Sequence, residues 1–233
     1  MLIKQVKSNL KLIIKNKLKS NFYTYYFLSG LRNYLRKFPN IFFNTYSYFL
    51  WFRLSKKKSI KLELGSGEKK GKDQWITVDI CSKADIFWDL RKRIPLQDST
   101  VDCIYSSHLL EHIPYQELIL FLKNCLKLLK KDGYFSVCVP SVRNYLDAYF
   151  NGDEFFEKEK ACKGALVETG SKLDQLNYIA YMAGQHNYMF DEENLVNILQ
   201  KVGFKRVKIR QFDPQIDNKG RDYESIYAIC YKE

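Results

Sequence analysis

A short apolar run, Ser59–Leu64, breaks off into Gly65-Ser66-Gly67, and from there strand signals alternate with helix signals. Trp75–Ile80, Ala84–Trp88, Val101–Ser106 and Tyr134–Val139 read as four further strands. Phe204–Phe212 and Ser225–Tyr231 read as two more, seven in all. Between them, Pro114–Lys131 has helical spacing, with Leu118, Leu120, Phe121, Leu122, Leu126 and Leu129 on the buried face. Pro114 suits the first turn and Asp132-Gly133 the stop. Phe190–Val202 is a second helix, with Asp191 as its N-cap and Gly203 as its end. This alternation predicts an α/β domain: a seven-stranded, mostly parallel sheet with helices on both faces.

Such sheets bind ligands at the carboxyl ends of their strands, near the switch in strand order. The loop after the first strand carries two glycines, which let the backbone turn sharply and approach a ligand. The second strand ends in Val78-Asp79-Ile80, where a carboxylate can accept hydrogen bonds from both hydroxyls of a ribose. Only seven residues separate Gly67 from Trp75. A full helix to carry a pyrophosphate at its N-terminus does not fit there. Lys70 also stands where a dinucleotide fingerprint needs its third glycine. The spacing favours a nucleoside ligand without a diphosphate.

Read in order, the motifs resemble the class I, Rossmann-like S-adenosylmethionine-dependent methyltransferases, in the compact subgroup with a shortened first helix. They are Leu62-Glu63-Leu64-Gly65-Ser66-Gly67, Trp75–Ile80, Asp89-Leu90, Ser106–His112, Leu128–Gly133 and Gln185–Asp191 with Gly203-Phe204. The resemblance covers about residues 60–232 and implies S-adenosyl-L-methionine as cofactor. It implies that Glu63, Gly65, Ser66 and Gly67 line the methionine part. Asp79 and Ile80 would then lie at the ribose, Asp89 and Leu90 at the adenine, and Ser106 at the cofactor's edge.

His108-Leu109-Leu110-Glu111-His112 also matches an inverted zinc-protease signature. Zinc ligation of that kind needs both histidines one turn apart on a continuous helix. Here His108 follows a strand directly, Pro114 opens the next helix, and no third ligand is evident. No metal is assigned, although a bound ion stays an open reading, and Glu111 and, above all, His112 read as caps or braces of the strand-to-helix turn. If the methyl acceptor is a hydroxyl, a base must take its proton. His108 and His186 are the candidates, both expected on the ligand edge. Residues 141–185, rich in Tyr and Phe, are expected to cover the acceptor pocket as a helical lid.

Residues 1–58 stand apart. They hold ten Lys, three Arg and no acidic residue, whereas the whole chain carries +12. The basic character therefore belongs to this N-terminal helical extension, and residues 59–233 form the near-neutral methyltransferase-like domain. In residues 1–19, apolar and lysine positions fall on adjoining helix faces. Residues 21–53 are dense in Tyr and Phe. Peripheral contact with an anionic membrane and a plain helical cap are both open readings. Stacking on RNA is a third and weaker one. None of the six cysteines forms a C-x-x-C pair, so all are expected reduced, in a cytoplasmic protein. The expected acceptor is a small molecule or a cell-surface glycan, with O-methylation as the reaction. The alternatives are a membrane-held lipid or quinone methyltransferase and a non-catalytic binding protein.

Overall fold

The computed structural model describes residues 41–153, 155 and 165–233, with side chains from residue 46 onward. The helix expected over residues 1–19 lies outside the described residues. Helix α1 (Ile41–Leu54) precedes seven strands: β1 (Lys61–Leu64), β2 (Trp75–Asp79), β3 (Ile86–Phe87), β4 (Val101–Ser107), β5 (Leu129–Pro140), β6 (Lys205–Arg210) and β7 (Ser225–Tyr231). Four more helices alternate with them: α2 (Tyr115–Leu128), α3 (Val142–Asn151), α4 (Leu173–Tyr181) and α5 (Glu192–Val202). The expected seven-stranded sheet is present, in the order β3-β2-β1-β4-β5-β7-β6. Strands β1 to β5 pair in parallel, and β7 enters antiparallel between β5 and β6.

Fully buried β1 side chains Leu62 and Leu64 sit at the centre of the core with Val78, Ile104, Phe135, Leu118 and Leu199. Strand β5 is buried along most of its length, as a central strand covered on both faces must be. Helix α5 keeps its expected ends. Asp191 and Asn194 form a reciprocal capping box, and Gly203 closes the helix in the left-handed region.

The helix expected to reach Lys131 stops at Leu128 instead, and Leu129 is already extended at φ −61°, ψ 140°. Leu129-Lys130-Lys131 suits a helix locally, but Leu129 pairs with Val101 of β4, and Leu120, expected on the buried face, points to solvent because the helix buries its Leu118, Phe121, Leu122 and Cys125 side instead. Asp132 N donates to Lys232 O, and Lys232 N donates to Gly133 O. These bonds satisfy backbone groups that a longer helix would leave without sheet partners.

Helix α1 closes one edge of the sheet. Trp51 and Leu54 are buried in the main core, and Trp51 meets Trp88 edge to face at 5.9 Å. Buried Ser47 donates its hydroxyl to Phe87 O on the two-residue edge strand β3, at 2.6 Å. An edge covered in this way offers no free ladder to another chain. The expected extension therefore meets the sheet domain through packed side chains well before residue 58.

A buried ion pair ties the far side together. Arg210 on β6 grips Asp217 with two bonds, of 2.6 and 2.8 Å, and the Asp217 side chain is fully buried. Tyr105 on β4 donates to the same carboxylate at 2.9 Å, and Asp213 N donates at 2.7 Å. Removing one partner strands the other charge. We predict that Asp217→Ala lowers unfolding free energy in urea by about 3–5 kcal/mol. Asp191→Ala, which removes only a helix cap, should cost about 1 kcal/mol in the same assay.

Candidate functional site

Because β1 to β5 run parallel, their carboxyl ends lie along one edge, and β7 begins there too, with Ser225 opposite Pro140. That edge collects the Gly65 bend, Asp79, Ile80, Asp89, Ser106, His108 and Ser225. The topology thus brings together residues that the sequence spreads over nearly the whole domain.

The bend is held by backbone and carboxylate. Gly65 N donates to Val78 O, and Gly67 N donates to Asp79 Oδ2 at 2.8 Å. Asp79 Oδ1 accepts from Cys81 N at 2.8 Å. Each carboxylate oxygen keeps a further lone-pair direction for a ligand hydroxyl. Gly65 and Gly67 adopt φ of +75° and +62°. A Cβ on Gly65 would lie 2.8 Å from Leu109 Cβ, whereas one on Gly67 would meet nothing within 4 Å. The outer face of the bend is therefore an open cradle.

No helix follows the bend. The link to β2 is a series of turns braced by Asp85, a residue the sequence alone does not single out. Its Oδ2 accepts from Gly71 N at 2.9 Å, Thr77 N at 3.1 Å and Thr77 Oγ1 at 2.9 Å. Burial works to raise the Asp85 carboxyl, but these donors outweigh it and hold the group below its ordinary range.

The other expected residues fall around the bend. Ser106, fully buried, pairs in register with Leu64, the residue before Gly65. The Ser106 and Ser66 hydroxyls are buried without a hydrogen-bond partner. Glu63 on β1 accepts from Lys69 Nζ through Oε1 at 3.0 Å. Ile80 is exposed, and Leu90 packs against the core. Asp89 is gripped by Arg91 through Nε and Nη2, at 2.9 and 2.7 Å. Burial pushes that carboxyl up, and the guanidinium more than reverses it.

A second cluster begins past His108. Leu110–His112 form a single 3-10 turn between β4 and α2. The segment after α4 runs along this turn. Asn187 N and Tyr188 N both donate to Glu111 O, and Asn187 Nδ2 donates to His112 O. This docking brings His186 against His112, with ring centroids 5.0 Å apart. Each ring is oriented by a carbonyl, which can only accept. His112 Nδ1 therefore donates to Gln185 O at 3.0 Å, and His186 Nδ1 donates to Ile179 O at 2.6 Å. Both Nε2 atoms are left as lone pairs.

His108 has φ +50°, and its Nε2 lies 2.8 Å from Ser225 Oγ. Ser225 Oγ gives its own proton to Arg221 O. The hydroxyl must then accept, so His108 carries its proton on Nε2. Burial holds His108 well below its ordinary value and pushes His186 down to about 4. Both rings are neutral acceptors at pH 7.

Glu111 stands between the rings. It is 2% exposed, and neither carboxylate oxygen has a hydrogen-bond partner. His112 Nε2 and His108 Nδ1 lie 3.7 and 3.8 Å from its Oε1, too far for hydrogen bonds. Burial pushes this carboxyl up to about 8. The brace expected of Glu111 is thus supplied by its backbone carbonyl and not by its side chain. His186 is the neighbour that the H-x-x-E-H spacing does not reveal.

Helices α3 and α4 follow on the same side. Tyr145, Ala165, Tyr178 and Ile179 form their own small core beside the cluster.

The model for the methyltransferase domain family matches residues 52–209, more than half of the chain. No curated protein matches the sequence. A SAM-dependent methyltransferase from Archaeoglobus fulgidus is 16% identical, with a TM-score of 0.47 over 95% of this chain and 99% of that one. A SAM-dependent methyltransferase from Thermotoga maritima is 15% identical, with a TM-score of 0.45 over 90% of this chain and 99% of that one. Phosphoethanolamine N-methyltransferase 2 from Haemonchus contortus, solved with S-adenosyl-L-methionine, is 10% identical, with a TM-score of 0.43 over 81% and 52%.

The two glycines of the bend should differ on substitution. Gly67→Ala meets only backbone strain and should cost about 1–2 kcal/mol. Gly65→Ala adds a collision with Leu109 and should lower the thermal midpoint clearly further, as differential scanning calorimetry would show.

Proposed function

The chain belongs to the methyltransferase domain family, and from that premise we propose that it transfers the methyl group of S-adenosylmethionine to a hydroxyl of a small molecule or a cell-surface glycan. The observation that carries the reading is the 2.8 Å bond from Gly67 N to Asp79 Oδ2. It joins the glycine bend to the neighbouring strand end and sets a carboxylate under an open cradle.

The residues present fit this cofactor. The cradle at Gly67 has room where a side chain would otherwise be. The buried hydroxyls of Ser66 and Ser106 have no partner of their own, and an unsatisfied buried hydroxyl is costly. A polar ligand at the bend would satisfy both. Asp79 would hold the ribose hydroxyls through the lone pairs its backbone bonds leave over. Glu63 meets Lys69 through Oε1, and its carboxylate has further acceptor capacity for the methionine ammonium. Asp89 would serve the adenine amino group while keeping Arg91. The bound cofactor supplies an activated methyl group.

The chain's own contribution is then alignment: an acceptor lone pair held in line with that methyl, at near-attack distance. Leu109 packs directly against Gly65, and Glu111 and His112 follow it in the next turn. The polar cluster therefore flanks the cofactor bend, with α3 and α4 above it. We assign the acceptor's polar group to this cluster and the exclusion of water to those two helices. His108, committed to Ser225, serves as a fixed wall of the pocket. His186 offers the accessible lone pair.

Isothermal calorimetry with S-adenosylmethionine tests the cofactor site. Asp79→Asn keeps one acceptor oxygen but loses the charge, and should weaken binding about tenfold, or ~1.4 kcal/mol. Unchanged affinity would remove the ribose contact.

We further propose, on one observation, a cytoplasmic location with attachment to the inner face of a membrane. Helix α1 turns Tyr46, Tyr48, Phe49 and Phe52 outward, each more than half exposed. Arg53 lies over Phe49 and Lys56 over Phe52. Aromatics flanked by cations suit an anionic lipid boundary. Among the described residues no helix is long and apolar enough to cross a membrane. The full chain should float with phosphatidylserine vesicles and not with phosphatidylcholine vesicles, and Phe49→Ser/Phe52→Ser should reduce flotation. Equal recovery of both proteins would discard this attachment.

A further inference from the structure

We propose that Glu111, His112 and His186 bind a divalent transition-metal ion beside the cofactor bend, so that the ion presents a coordination position to the acceptor's oxygen. The part concerning the acceptor rests on the methyl-transfer reading above. Metal binding itself does not.

The donor atoms converge. One ligand atom from each of the three residues lies within 4.8 Å of the other two. Ligands at zinc-like bond lengths sit about 3.3 Å apart. His112 Nε2 and Glu111 Oε1 are 3.7 Å apart, and side-chain rotation would have to draw the whole set in from within 4.8 Å. No hydrogen bond between those two atoms has to be broken first.

The rings are also prepared. Each ligating histidine of a metal site donates its other ring N–H to a carbonyl or carboxylate, which fixes the tautomer. His112 does so to Gln185 O and His186 to Ile179 O. Both acceptors are backbone carbonyls, so the orientation is built into the fold. Both Nε2 lone pairs are thereby left free to ligate, and that of His112 lies 3.7 Å from Glu111 Oε1.

Glu111 is the independent sign. A carboxyl that is 2% exposed and has no hydrogen-bond partner on either oxygen is an expensive arrangement. Buried charges are tolerated when they are paired or coordinate a metal. Both flanking rings are neutral, and Arg221 acts on Glu111 through its charge alone, with no hydrogen bond to either oxygen. A metal ion would give the carboxylate the direct partner it lacks.

The donor set also indicates the class of ion. Two imidazoles and one carboxylate suit zinc, cobalt, manganese or iron(II) better than calcium or magnesium. Three protein ligands leave room for an exogenous one, the pattern of catalytic and not of structural sites. That position would face the closed hollow bordered by Pro140, Ile179, Tyr188 and Met189, which admits an exogenous oxygen only when those side chains part. An oxygen-bearing acceptor, a hydroxyl or a vicinal diol, is the chemistry such a position takes.

The test uses the full chain, stripped by dialysis against a chelator and titrated with Co²⁺. Expected is one equivalent bound, with visible d–d absorption of a low-symmetry site, displaced by Zn²⁺. Glu111→Gln and His186→Ala should each weaken Co²⁺ binding on the order of 100-fold. Asp79→Asn should leave the cobalt spectrum unchanged while weakening S-adenosylmethionine, and the metal-site variants should do the reverse. Failure of the two sites is thereby separable. Circular dichroism melts identify variants that are folded, and the wild-type titration needs no variant at all. A wild-type chain that takes up no Co²⁺ at millimolar concentration overturns the proposal. So does a folded Glu111→Gln or His186→Ala protein that binds like the wild type.

Discussion

A parallel pair of strands joined by ten residues and no helix has to satisfy its connecting backbone by other means. In this chain two carboxylates do it. Asp79 takes the amides of Gly67 and Cys81, and Asp85 takes those of Gly71 and Thr77. The first glycine bend is therefore fixed by the two strand ends it must serve, and the cradle it forms needs no helix behind it. A dinucleotide fold relies on a helix N-terminus to meet a diphosphate. A site built on carboxylates meets hydroxyls and ammonium groups instead, which is what a sulfonium nucleoside offers.

Sheet direction carries the rest. Five parallel strands deliver their loops to one edge, and antiparallel β7 adds Ser225 there. Ser225 then settles the tautomer of His108, a residue that follows a different strand. One of the two histidines expected as a base, His108, is thereby tied to a neighbour, and the polar focus moves to the other, His186, with Glu111 and His112. The segment carrying His186 is held on Glu111 O by two amides, so the cluster depends on main-chain bonds more than on side-chain pairing.

Much of this architecture was legible before any coordinates. The order of strands and helices, the caps of α5 and the limits of β7 follow from local patterns that the tertiary structure respects. The end of α2 does not. Leu129-Lys130-Lys131 has helical spacing, yet pairing of Leu129 with Val101 on β4, a contact made only on folding, draws it into β5. The bend and Asp79 were found because a two-glycine turn and an acidic strand end have a local signature. Asp85 has none, since an aspartate in a polar turn signals its role only through amides brought to it by folding. His186 was singled out by its position before a helix, and its closeness to Glu111 depends on how the α4–α5 segment lies across the 3-10 turn.

The contact of Trp51 with Trp88 has a mechanical corollary. Trp88 directly precedes Asp89, at the end of the sheet assigned to the adenine. Helix α1 thus leans on the segment that leads to Asp89, through Trp51 and Tyr48 against Trp88 and through Ser47 on Phe87. Were its outer aromatic ridge held by a surface, a load on that ridge would reach the proposed adenine end through these few side chains, and attachment and cofactor affinity would be geared to one another.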